Sequence, residues 1–91
     1  MQINRDEGMR DVTALLKGLR VDLPITLEKL AFVAGRMHEA GLILEGLAEA
    51  FPDDREIMQW LDDVASCQVG TFEAAKVVAA QELAAAGGVL H

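Results

Sequence analysis

Two prolines 28 residues apart, each closing nearly the same apolar phrase, constrain this chain more than any other feature. Residues 15–24 read Leu-Leu-Lys-Gly-Leu-Arg-Val-Asp-Leu-Pro, and residues 43–52 read Ile-Leu-Glu-Gly-Leu-Ala-Glu-Ala-Phe-Pro. Leu16 aligns with Leu44, Gly18 with Gly46, Leu19 with Leu47 and Pro24 with Pro52, and Val12 stands opposite Ala40. Proline cannot continue a helix and pushes its predecessor out of the helical region. Both phrases therefore read as tails of amphipathic helices, and their recurrence points to stacked helical hairpins.

Ninety-one residues make one domain, residues 1–91, with room for a modest shared core. Ala, Leu, Glu, Met and Gln are abundant, aromatics make up 4% and Tyr is absent, a composition that favours helix over sheet. With 52% apolar and 25% charged residues the chain is expected to be globular. The single cysteine, Cys67, has no internal partner for a disulfide, which suits a reducing compartment. No cationic start with a cleavage site and no membrane-length apolar run is present, so the expected location is cytoplasmic, without membrane insertion.

The net charge of −7 is unevenly placed. Residues 1–44 carry six bases and six acids, whereas residues 45–63 carry seven acids against Arg55 alone. Such an acidic middle repels phosphate backbones, which argues against nucleic-acid partners and leaves a basic protein surface or plain solvation as its use.

In chain order, Asn4 and Glu7 have capping-box spacing, and Met9, Val12, Leu16 and Leu19 recur at helical spacing, predicting helix one over residues 5–20. Pro24 suits the first turn of a second helix over residues 25–34, which Gly35 ends. A Gly35-Arg36 turn opens a third helix with the stripe Ala40, Ile43, Leu44, Leu47 and Phe51, stopped by Pro52. Asp53 is the expected N-cap of a fourth helix over residues 54–67, with Glu56 at capping-box spacing. Val69-Gly70 breaks it, Thr71 caps a fifth helix, and Gly87-Gly88 closes that one. The expected architecture is all-α, a five-helix right-handed stack of antiparallel hairpins, with helix one followed by hairpins over residues 24–51 and 53–86.

The run from Gly35 through Ala40, followed by Leu44, Leu47 and Pro52, resembles the second half of a tetratricopeptide repeat. Gly70, Phe72 and Ala75 repeat its glycine, large residue and alanine 35 positions later, close to that family's period. The aromatic and glycine of the repeat's first helix are missing, with Pro24 and Glu28 in one unit and Met58 and Asp62 in the next. Residues 42–52 also resemble the degenerate helical-repeat chaperones of bacterial type III secretion. That resemblance implies a concave groove holding an amphipathic helix of a protein partner, such as a small secreted subunit. Ile25, Lys29 and Phe32 would line it from one side and Glu56, Gln59, Trp60 and Asp63 from the other.

Two alternatives stay open at this level. Helix one either leaves the groove free or covers Ile25 and Phe32 in a closed bundle, and Trp60 either anchors a partner or completes the core. A homodimer through the helix-two face is the competing role. Catalysis is not expected: His38 and Cys67 are the only nucleophile and base candidates and lie on different helices, while adjacent acids such as Asp62 and Asp63 point to different sides of one helix. Two histidines and one cysteine are too few for a metal site, and no phosphate-cradling loop is present, so no cofactor is expected.

Overall fold

The computed structural model describes residues 4–89 and is all-helical there, without strands, but it holds three helices and not five. These are α1 (Arg5–Leu16), α2 (Leu27–Ala50) and α3 (Arg55–Val89). The expected turn at Gly35-Arg36 lies inside α2, and the expected break at Val69-Gly70 lies inside α3.

Their continuity has a physical reason in the apolar spacing. The inward positions Leu30, Val33, Met37, Ala40, Leu44 and Leu47 alternate three and four residues apart straight through Gly35. Ile57, Leu61, Val64, Gln68, Thr71, Ala75 and Val78 keep the same phase through Gly70. A glycine inside a helix costs about 1 kcal/mol relative to alanine. Breaking the helix there would forfeit several backbone hydrogen bonds and throw one buried stripe out of phase with its continuation, a larger loss.

Other boundaries move by one to a few residues. Asn4 caps α1 as expected, its side chain accepting from Glu7 N at 3.1 Å. The helix stops four residues earlier than expected because Gly18 takes φ +72°, a left-handed conformation that glycine adopts without Cβ strain. Gly46, its partner in the sequence repeat, sits inside α2, so the two phrases are not structural copies. Pro24 lies in the connector and not in a first turn, and Thr26 is the cap of α2, accepting from Lys29 N at 3.2 Å. Pro52 does end α2. Asp54, not Asp53, caps α3: its Oδ1 accepts from Glu56 N at 3.1 Å and Ile57 N at 3.3 Å. Thr71 caps nothing and donates within α3 to Cys67 O at 2.8 Å. The helix runs on through Gly87 and Gly88 to Val89. Leu90 and His91, expected to fray, lie outside the described residues.

The helices α2 and α3 form an antiparallel hairpin. Gly8 of α1 meets Leu47 near the end of α2, while Leu16 and Leu19 reach Met37, so α1 runs antiparallel to α2. It covers only the half of the hairpin nearest the α2–α3 turn. The molecule measures 60 × 20 × 20 Å with a radius of gyration of 16.8 Å, well beyond the roughly 12 Å of a compact chain this long.

The core is at that end. Val12, Ala40, Leu44, Leu47, Ile57 and Val64 are buried together, with Met9, Met37, Phe51 and Trp60 packed around them. Val12, Ala40, Leu44 and Ile57 are 0% exposed. Arg5 latches α1 to the start of α3, its guanidinium donating to both carboxylate oxygens of Asp54 and lying 3.3 Å from Glu56.

Candidate partner-binding surface

The residues expected to line one groove are divided between the two ends of the hairpin. Ile25, Lys29 and Phe32 lie at the start of α2 or just before it, while Glu56, Gln59, Trp60 and Asp63 lie in the first turns of the antiparallel α3. The concave face between them, which needed five alternating helices, is therefore not formed.

Their individual surroundings differ as well. Ile25 and Phe32 are exposed, with Arg36 stacked 5.5 Å over the Phe32 ring. Lys29 is occupied, since Nζ donates to the carbonyls of Asp22 at 2.9 Å and Pro24 at 2.8 Å and ties the connector to α2. Glu56 faces Arg5, and Gln59 donates to Asp63 at 3.0 Å on the exposed side of α3. Trp60 is half-buried against the core and also lines a cleft with Leu16, Leu19, Met37 and Asp63. That arrangement gives it the core role weighed from sequence, with one edge left open.

A different surface collects the exposed apolar side chains. Eight of the ten large ones, Leu23, Ile25, Leu27, Phe32, Val69, Phe72, Val77 and Leu83, lie in the connector, the first turns of α2 or α3 from Val69 onward. On α3 the exposed Met58, Ala65, Phe72 and Ala79 recur seven residues apart along one side, edged by the half-buried Leu61, Gln68 and Ala75 at three-four spacing. At 100° per residue this side lies more than 100° around the helix from Asp63 and Cys67, which flank the α1 cleft. Leu27, Ala31, Ala34 and His38 of α2 meet Gln68, Phe72 and Ala75 of α3 in a shallow apolar groove of about 520 Å³. Phe72 is 61% exposed, with Lys76 Nζ 4.8 Å above its ring.

Charge follows the same division. Residues 1–16 and 39–67 hold three bases and eleven acids, a net −8, while residues 17–38 and 68–91 hold five bases and four acids, a net +1. The open apolar end is thus nearly neutral and the closed end carries the acid. Asp54 is held below the usual carboxylate range, first by its hydrogen bonds from Arg5 and then, against its desolvation, by backbone donors from Ile57 and Glu56 and the Arg5 charge.

Met58 is expected from sequence in a fourth helix and Phe72 in a fifth, with Val69-Gly70 as the break between them. The signal that they share a face is the unbroken three-four spacing across Gly70. No described helix is long and apolar enough to cross a membrane. Among the described residues no cluster of three or more His, Cys, Asp or Glu side chains is placed to hold a metal ion. No protein-family model, curated protein or solved structure matches this chain.

Proposed function

We propose that this chain is a protein-interaction module, not an enzyme, whose uncovered hairpin face accepts an amphipathic helix. The observation that carries the reading is the side of α3 running from Met58 to Ala79 beside Leu27 and Ala31 of α2. Over that length it is apolar except at Gln68 and is left uncovered by α1. A helix laid against such a face buries apolar side chains at three-four spacing, each large one contributing about 1.5–3 kcal/mol when fully covered. The acidic closed end disfavours nucleic acid and anionic lipid as partners.

The finer version is a cytoplasmic chaperone or adaptor of bacterial type III secretion that masks a small secreted helical subunit. Its support is the likeness of residues 42–52 to those chaperones, without the alternating hairpins of a repeat array. The test uses the full chain and Phe72→Glu, both checked for helicity, as baits for partner recovery. A protein retained by the native face and lost with Phe72→Glu supports the reading. Recovery unchanged by that substitution contradicts it.

A further inference from the structure

We infer that the occupant of this face is a second copy of the same chain, docked antiparallel along α3 about a two-fold axis at Gln68. The inference deepens the interaction reading above by naming the partner, and rests on it. Four independent features favour this occupant.

The first is area. The chain exposes 6743 Å², whereas a compact monomer of its mass exposes about 5200 Å². The surplus exceeds the roughly 800 Å² that each partner contributes to a stable interface.

The second is register. Antiparallel pairing about Gln68 sets Met58 against the partner copy's Ala79, Leu61 against its Ala75 and Ala65 against its Phe72. A large side chain thus meets a small one in three layers, and the Gln68 amides of the two copies meet at the axis. The same pairing sets Asp62 against Lys76 on one flank of the face, an opposite-charge pair. A parallel arrangement would place Phe72 on Phe72, Asp62 on Asp62 and Lys76 on Lys76.

The third is length. The 35 residues of α3 span about 52 Å and the 24 of α2 about 36 Å. Beyond Gln81, which meets Leu23 and Ile25 of the connector, α3 overhangs its own hairpin, leaving Leu83 74% exposed. Antiparallel docking lays this overhang across the first turns of α3 in the other copy near Met58, which is itself 47% exposed.

The fourth is charge. Each −8 end then lies beside the nearly neutral end of the other copy, and the two acidic ends are kept apart.

The test is solution mass across a concentration series, combined with a charge swap. The native chain is expected to approach twice 9.8 kDa, and Phe72→Glu to remain near 9.8 kDa at concentrations at least about tenfold higher while retaining native helicity. Asp62→Lys places a like charge against Lys76 and should weaken association about tenfold, and adding Lys76→Asp should restore it. In a Cys67→Ser background, a short bis-maleimide should link copies through Val69→Cys and not through Asp63→Cys on the α1 side. A chain that stays at 9.8 kDa throughout, a dimer indifferent to Phe72→Glu, or a swap that the second change does not rescue overturns the inference. A monomeric chain that still loses a captured partner with Phe72→Glu overturns the second-copy inference alone and leaves the interaction reading intact. Capture of other proteins unchanged by Phe72→Glu contradicts that reading instead.

Discussion

The two ends of the α2–α3 hairpin are built from the same helices yet are finished differently. At the turn end, α1 closes a three-helix core in which Val12, Ala40, Leu44 and Ile57 are wholly buried. At the far end two helices stand with only the connector against them, and Phe32, Phe72 and Leu83 remain exposed. A two-helix unit has too little apolar area to hold itself together well. The far end therefore draws its order from continuity with the closed end and from whatever covers it.

The largest separation between the ends should come from core truncation. Leu44→Ala should cost about 2–5 kcal/mol, whereas Phe32→Ala at the open end should cost no more than about 0.5 kcal/mol. Denaturant midpoints of the two variants check this, and equal losses would erase the distinction.

Glycine substitutions sharpen the contrast because their sign should change. A Cβ on Gly8 would sit 2.8 Å from Leu47 Cδ2, and Leu47 is 2% exposed with little room to yield. Gly8→Ala should therefore overpack the closed end by about 1–3 kcal/mol, outweighing a helix-propensity gain of about 1 kcal/mol. Gly35 and Gly70 have no atom within 4 Å of such a Cβ, and alanine at either should stabilise by about 0.5–1 kcal/mol. Thermal unfolding of the three variants reads the signs. A loss at Gly35 or Gly70 would show that a turn there is needed after all.

The smallest effect expected is acid sensitivity at the Arg5–Asp54 latch. Arg5 hydrogen bonding keeps the Asp54 carboxyl below its ordinary value, so its contribution is complete above the unfolded carboxylate range, near pH 4, and is lost as pH falls through the lower folded value. Asp54→Asn keeps a capping oxygen for Glu56 N and Ile57 N but removes the charge. Its stability should fall less steeply with acid than that of the native chain, and parallel curves would mean the latch contributes nothing.

Helix class, the Asn4 cap, the stop at Pro52 and the buried places of Val12, Ala40, Leu44 and Leu47 were all legible in the residues. The punctuation was not. Gly18, Gly35 and Gly70 look alike in sequence, yet only Gly18 turns the chain, at φ +72°, with Pro24 six residues on, while the stripes through Gly35 and Gly70 run on to further buried positions. The repeated phrase around Leu16 and Leu44 misled for the same reason, since similar words close α1 early and run on through α2. Once α2 and α3 are each continuous, Ile25 and Phe32 are carried away from Glu56 and Trp60, and the exposed side of α3 becomes a single surface. No local motif marks that surface, which exists only as a phase relation across the 22 residues from Met58 to Ala79.

Residue-resolved hydrogen exchange on the monomeric Phe72→Glu protein tests the closed-and-open account most directly. Amides of Leu44, Leu47, Val64 and Leu61 should exchange only through global unfolding, while those of Val33, Ala34, Val77 and Val78 should exchange at least about tenfold faster through opening of the uncovered end. Uniform protection along α2 and α3, or protection highest at the far end, would contradict it.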